Sequence, residues 1–230
     1  MVTINKKDKW NFDKVYVDKF VDHISKSVPF YYECHDMIKE ISNHFIYKNS
    51  VVYELGCSAG NLVNLLAKSH NKINAEFIGL DISPEMIKHA KKVCKLKNLK
   101  FFEADLFKFK FKKSDLFISF YTIQFINPSR RQIIINKIYK NLNKGGAFIF
   151  FEKTINKNSK FENILQEIYF NFKLKNNFSV EEIVAKQKSL IGILEPFEQS
   201  HNLDLLKKAG FKNTTIIFKM YDFEGYLAIK

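Results

Sequence analysis

This 230-residue sequence is short of arginine and cysteine and has no long apolar run. No segment approaches the roughly 18 uninterrupted apolar residues that a membrane span needs. The start, MVTINKKDKW, is too polar for the apolar core of a secretion signal. A cytoplasmic protein with no membrane partner is expected. The three cysteines, Cys34, Cys57 and Cys94, are odd in number and contain no C-x-x-C pair, so they point to neither a disulfide framework nor a structural zinc site.

The scarcity of arginine bears on the net charge of +13. Clustered cations gain affinity for nucleic acid by releasing counterions from phosphates. Yet of 37 basic residues all but Arg130 and Arg131 are lysine, whereas phosphate and base-edge recognition favours the arginine fork. The chain is also rich in Asn, Ile and Phe, which share A/T-rich codons with lysine, so genome composition accounts for much of the basicity. Nucleic acid is a minor partner hypothesis and not an expected direct substrate. With 46% hydrophobic and 27% charged residues, the composition is that of a globular protein. The length suits one domain over residues 1–230 with an embedded helical insertion.

What is present centres on VVYELGCSAG, Val51 to Gly60. Val51, Val52, Tyr53 and Leu55 favour a strand; Gly56 and Gly60 bracket a tight turn, and an apolar-periodic helix begins at Asn61. Glycine suits a turn that needs positive φ or close approach of a ligand, and the helix start presents unpaired N–H groups toward it. A second strand, Glu76 to Leu80, ends in Asp81, where doubly wound nucleotide-binding folds hold a ribose diol. The same residue also reads as an acidic leader to the helix signal Ser83-Pro84-Glu85, and both readings can hold. A third strand, Lys100 to Ala104, ends in Asp105, which reads as an acceptor for an adenine amino group or as a plain loop carboxylate.

Further strands are expected at 116–121 and at 147–151, the latter after Lys144-Gly145-Gly146 ends a helix opened by Asn127-Pro128. Two more, at 214–220 and 226–229, have no helix between them and should pair antiparallel at one edge. Alternating strands and helices argue for a parallel sheet. Residues 1 to about 10 should be mobile. Residues 10–45, with Trp10, Phe12, Val15, Tyr16 and Phe20 at helical spacing and a break at Pro29, should form a helical lid with Tyr31 facing a ligand. Cys34, His35 and Asp36 are adjacent on a helix and point in different directions, so packing is preferred over a metal or nucleophile cluster. Residues 156–200 should be a helical insertion in which Ser179 and Glu182 form a capping box. Val180, Ile183, Val184 and Leu190 form the apolar face of that helix, and Gln187 falls on the same face. A buried amide on that face meets backbone or water, or else a polar ligand.

Seven strands with the last pair reversed, ELGCSAG on the first and an acid ending the second and third resemble the class I, Rossmann-like, S-adenosylmethionine-dependent methyltransferase fold. WNFD (10–13), SVPFY (27–31), LGCS (55–58), YTIQF (121–125), NPSRRQ (127–132), KIYKNLNKGG (137–146), FEK (151–153) and KKAGF (207–211) are similar to the carboxy-S-adenosylmethionine synthase family. Members of that family carboxylate the S-methyl of S-adenosylmethionine using prephenate, supply a tRNA wobble-uridine modification pathway and form homodimers. The resemblance implies S-adenosylmethionine as cofactor, held by Tyr31, Gly56, Cys57, Ser58, Asp81, Ile82, Asp105 and Leu106, with Glu54, Gly60 and Phe120 completing the site. It implies a substrate pocket containing Tyr31, Phe120, Tyr121 and Gln187.

Two positions depart from the family. Phe120 stands where the family has asparagine, and Gln187 falls, in ungapped register from KKAGF, on the family's carboxylate-binding arginine. A neutral amide supplies neither the charge nor the two parallel hydrogen bonds of a guanidinium. Methyl transfer from ordinary S-adenosylmethionine to a small molecule is therefore the leading expectation. A carboxy-S-adenosylmethionine synthase with altered contacts, in which Lys188 supplies the charge, and a non-catalytic cofactor-binding subunit are the alternatives. Methyl transfer needs orientation more than acid–base chemistry, so no catalytic residue is singled out.

Overall fold

In the computed structural model, which describes residues 17–230, the run Val51–Leu55 (β1) lies in the middle of the sheet and is buried along almost its whole length. It pairs in parallel with Glu76–Asp81 (β2) on one side and with Ser114–Phe120 (β4) on the other. Leu99–Glu103 (β3) lies outside β2, and Leu142–Ile155 (β5) lies beyond β4. The last two long strands, Asn213–Met220 (β7) and Phe223–Ile229 (β8), give the order β3-β2-β1-β4-β5-β8-β7. The reversed strand is β8, inserted antiparallel between β5 and β7, so the antiparallel edge expected from the sequence is present with β7 outermost. A two-residue strand, Phe197–Glu198 (β6), pairs with the end of β5 and left no period in the sequence to reveal it.

Strand side chains alternate between the two faces of a sheet, which splits the core in two. On one face Val52, Phe77, Ile118, Ile149 and Phe151 meet Tyr31–Ser42 (α2), Asn61–Ser69 (α3) and Pro84–Val93 (α4). On the other, Tyr53, Ile78, Phe117, Phe148 and Phe150 meet Pro128–Asn141 (α5) and Gln199–Ala209 (α8). This is a three-layer α/β/α arrangement. The chain leaves β1 toward β2 and β3, then returns to β4 on the far side, which opens a crevice at the carboxyl ends of β1 and β4.

The helix signals act as their chemistry dictates. Ser83 accepts the Met86 N–H with Pro84 at the first helical position, Asn127 accepts the Ser129 N–H before Pro128, and Ser179 and Glu182 close a reciprocal capping box. Lys144-Gly145-Gly146 does not end a helix. The α5 helix stops at Asn141 and β5 begins at Leu142, with the glycines inside the strand beside a register shift opposite Ser114 and Leu116. A Cβ on Gly146 would lie 2.8 Å from the Asp115 carbonyl, so glycine here lets two backbones approach.

Arg131, 1% exposed, has no ion pair among the described residues. It donates instead to the backbone carbonyls of Ile126 (2.8 Å), Gln124 (2.9 Å) and Glu195 (2.6 Å). One of the chain's two arginines thus ties the turn after β4 to the connection that follows the insertion. That insertion comprises Ser159–Lys175 (α6) and Val180–Leu190 (α7). It faces Val17–Ser27 (α1) across the crevice, where the Tyr169 hydroxyl donates to the Ser27 carbonyl at 2.9 Å and Phe178 meets His23 edge-on. The expectations for residues 1–10, and for Trp10, Phe12, Val15 and Tyr16, lie outside the described residues. Among those described, no helix is long and apolar enough to cross a membrane.

Candidate functional site

The crevice deepens into a cavity of about 410 Å³ between the glycine turn, α1, α2 and the insertion. Gly56 has φ +69°, and a Cβ there would lie 2.3 Å from both Oγ1 and Cγ2 of Thr122. Its need for glycine thus comes from the left-handed backbone and from the β4 loop packed against it. Ser58 (φ 47°) and Tyr121 (φ 56°) also take the left-handed conformation, unusual for residues with a Cβ and clustered here at one site. Of the expected cofactor residues, Gly60 does not line the cavity. It precedes α3 with φ +81°, and a Cβ would run into the Phe101 ring at 2.8 Å, so its work is helix–sheet packing.

Three carboxyl groups stand at this mouth. Asp81 accepts the Ser58 N–H at 2.8 Å and the Ser83 N–H at 2.9 Å, joining the glycine turn to the start of α4. Burial raises its pKa, and those N–H groups oppose the shift. Asp81 is thus both a cavity wall and a helix leader. Glu54, wholly buried at the end of β1, accepts the Val63 N–H at 2.9 Å in the first turn of α3. Burial pushes its pKa up to about 8, so the acid is protonated at neutral pH in the absence of a cation. Asp105 accepts the Phe107 N–H at 2.8 Å and lines the cavity, with Leu106 beside it. Ile82, 71% exposed, offers an apolar face at the rim, and Cys57 keeps its thiol neutral because burial raises it well above the ordinary value.

Aromatic rings form the middle of the cavity. Tyr31 opens α2 just after the break at Pro29, and His35, four residues on, shares its face. Their rings are 4.3 Å apart, and Phe120 at the end of β4 lies 5.7 Å from Tyr31 and 4.9 Å from His35. Tyr121 follows at 4.6 Å from Phe120. Burial lowers His35 to about 4 and holds the Tyr121 hydroxyl neutral. His35 Nε2 and Tyr121 Oη are both buried with no hydrogen-bond partner among the described residues. Two such atoms in one cavity wall suit a bound polar molecule. The packing role read for His35 from the sequence is only half of its position, since it also faces the cavity.

The far wall belongs to β5 and the insertion. Gln187 is exposed at the cavity rim, and Val180 and Val184 are exposed as well, so the buried apolar face expected on α7 reduces to Ile183 with Leu190 half-buried. Lys188 is exposed and does not line the cavity, whereas Lys186 does, and burial lowers its pKa to about 6. Lys153 and Lys173 line the same wall with Tyr169 and Phe223. Sequence reasoning singled out none of Lys153, Lys173, Lys186 or Tyr169 as a site residue. The one local signal available was Tyr169 and Lys173 at helical i, i+4 spacing. Among the described residues no cluster of His, Cys, Asp and Glu is arranged to hold a metal ion.

Residues 46–210 match the family described as "Methyltransferase domain". A carboxy-S-adenosyl-L-methionine synthase from Staphylococcus epidermidis is 37% identical over 223 residues, which cover 96% of this chain and 97% of that protein. A protein of the same name from Campylobacter jejuni subsp. doylei is 38% identical over 228 residues, covering 98% and 96%. Among solved structures, a putative O-methyltransferase from Nostoc punctiforme superimposes with a TM-score of 0.67 at 13% identity, over 94% of this chain and 59% of that one. Human N-acetylserotonin methyltransferase in complex with S-adenosylmethionine does so with a TM-score of 0.57 at 16% identity, over 98% and 64%. At such identities these two likenesses speak for the fold alone.

Proposed function

Because the chain belongs to the carboxy-S-adenosyl-L-methionine synthase family of S-adenosylmethionine-dependent transferases, we propose that it transfers the methyl group of S-adenosylmethionine, its cofactor, to a small-molecule acceptor. The residues of the cavity fit that cofactor. Asp81 keeps free lone pairs for a ribose diol, Asp105 can accept from an adenine amino group, and Ile82 and Leu106 give a base an apolar bed. His35 Nε2 and Tyr121 Oη stand unpaired nearby. Once bound, the cofactor supplies a methyl group on a sulfonium, a good leaving group. The chain's part is to bind, to orient and to exclude water. Tyr31, Phe120 and Tyr121 present rings whose faces favour a cation, and Glu54 can release its proton where a cationic group approaches. No residue has to remove a proton in the displacement itself, since alignment of acceptor and leaving group supplies most of the rate.

One observation carries the choice of a plain methyl group. Phe120 fills the position of the family's asparagine with a ring packed on Tyr31 and His35, and the family's arginine position is Gln187 in ungapped register. Neither Phe120 nor Gln187 brings a charge of its own to the cavity. The test is mass analysis of the ligand carried through purification, with an assay for conversion of prephenate to phenylpyruvate. S-adenosylmethionine or its demethylated product and no prephenate turnover are expected. Finding the carboxylated cofactor would sink the proposal. Phe120→Asn together with Gln187→Arg should then let the carboxylated cofactor bind, while Gln187→Arg alone adds a charge without its companion.

A second reading, carboxy-S-adenosylmethionine synthesis, is favoured by the names of the relatives and by three lysines on the far wall. The same mass spectrum separates the two. Apolar side chains exposed along one face of α6, Phe161, Ile164 and Ile168, offer a surface for the proposed homodimer, which light scattering would test. Nucleic acid is not proposed as a substrate, and any binding driven by the +13 charge should collapse as salt rises.

A further inference from the structure

We propose that Lys153 and Lys173 form an anion subsite for the methyl acceptor, making that acceptor a small, flat acid rather than a neutral molecule. The inference deepens the methyltransferase reading and rests on it for the word acceptor. Lys153 leaves β5 near its end, and Lys173 lies in the last turn of α6. Both reach one ring. Their Nζ atoms lie 4.8 Å and 4.4 Å from the centroid of Tyr169, and Lys153 is also 6.0 Å from the centroid of Phe223.

Lys173 is only 8% exposed, and among the described residues neither ammonium makes a hydrogen bond or an ion pair. The Tyr169 hydroxyl is already committed to the Ser27 carbonyl, so this residue offers the site its ring. A cation beside an aromatic face gains about 0.5–2 kcal/mol, less than an unpaired ammonium loses on leaving water. Asp222 and Glu162 attract Lys153 from a distance, and neither lines the cavity. Burial, then the charge of Lys153, lowers Lys173 to about 8.

Two ammonium groups that face one cavity, one weakened by the other and neither in contact with a carboxylate among the described residues, are suited to an anion from outside. The rings of Tyr169 and Phe223, 5.1 Å apart, bound the space next to them and suit a flat apolar body attached to that anion. This pair belongs to β5 and α6, away from the α7 position where the family's arginine falls, and its charge bears on the acceptor end.

The test uses the full chain saturated with S-adenosylmethionine and titrated calorimetrically with benzoate, phenyl phosphate and neutral benzyl alcohol. The two anions should bind at least about tenfold more tightly than benzyl alcohol, and whichever anion binds better assigns carboxylate or phosphate. In the double variant Lys153→Gln with Lys173→Gln that preference should vanish, while affinity for S-adenosylmethionine, measured on the same sample, stays within about twofold and shows that the variant is folded. Equal binding of benzoate and benzyl alcohol by the natural chain, or benzoate binding untouched in the double variant, would overturn the subsite. Failure of the natural chain to bind S-adenosylmethionine would instead overturn the methyltransferase reading and leave the anion comparison standing.

Discussion

Replacing Asp81 perturbs two things that the structure joins in one carboxylate. Its oxygens hold the Ser58 and Ser83 N–H groups at 2.8 and 2.9 Å, which fixes the glycine turn against α4, and their remaining lone pairs face the cavity where a ribose is expected. In Asp81→Asn one amide oxygen survives as an acceptor, and the NH₂ group confronts a backbone N–H. Losing one charged hydrogen bond and stranding one donor should lower folding stability by about 2–4 kcal/mol. The diol contacts are a separate quantity. At about 1.5–3 kcal/mol for each bond to a charged acceptor, losing both in Asp81→Ala should raise the Kd for S-adenosylmethionine about a hundredfold or more. Urea denaturation without ligand reads the first effect, and calorimetric titration well below the unfolding midpoint reads the second. Affinity in the natural chain should also fall as pH drops through the titration of Asp81, because only the ionised form accepts fully from two hydroxyls; burial raises that point. A loss of stability with Kd unchanged in both variants would refute the reasoning, leaving Asp81 a brace for the turn and no ligand.

Arg131→Met should cost about 3–5 kcal/mol in urea denaturation, since three carbonyls, one buried and two part-buried, lose a charged donor at once, and Arg131→Lys should recover little because one ammonium cannot span the same three acceptors. Gly56→Ala should destabilise by roughly 2–4 kcal/mol, from the left-handed backbone and the Thr122 overlap together, and Thr122→Ala beside it should restore only the steric part, as thermal unfolding would show. The unfolded Glu54 acid titrates near 4.5 and the folded one holds its proton to about 8, so its contribution to stability is lost as pH rises through that window, by about 1.4 kcal/mol per unit at most. Lys186, lowered to about 6, contributes with the opposite slope over part of the same range. The measurement is therefore the difference in urea midpoint between the natural chain and Glu54→Gln, which should shrink from pH 5 to pH 8; a constant difference would place Glu54 in water.

The order of elements around Val51–Leu55 was legible because each strand and helix there carries its own period and its own punctuation. Ser83-Pro84 and Asn127-Pro128 open helices through contacts made within three residues, so nothing distant can override them. Legibility failed where distant backbone decides. Lys144-Gly145-Gly146 has the composition of a helix stop, yet the close carbonyl of Asp115 makes it part of a strand. Gly60 looks like a ligand glycine until Phe101, from another strand, is seen against it. Gln187 sat on an apolar helical face by spacing alone, and half of that face, Val180 and Val184, is exposed. Lys153, Lys173 and Lys186 come from three elements, and periodicity relates side chains within an element, never across a cavity.

Separation across the cavity bears on the departure from the family proposed at position 187. Glutamine at position 187 brings no charge to the pocket, yet three lysines line the same cavity, two of them facing the Tyr169 ring. Arginine and lysine are not equivalent there. A guanidinium is always charged and holds a carboxylate in one plane through a fixed fork, which suits a group fixed to a cofactor. An ammonium is a point charge on a flexible stem, and a buried one gives up its proton readily, as the lowering of Lys173 to about 8 and Lys186 to about 6 indicates. Lys173 is therefore only partly charged near pH 8 and takes up a proton when an anion arrives. An acid bound beside it should bind with proton uptake near pH 8, and the calorimetric heat there should change with the ionisation enthalpy of the buffer. An arginine site would show no such dependence, so the buffer series alone distinguishes a cavity that holds its anion on the acceptor side by conditional charge from one that keeps a permanent clamp for a carboxylated cofactor.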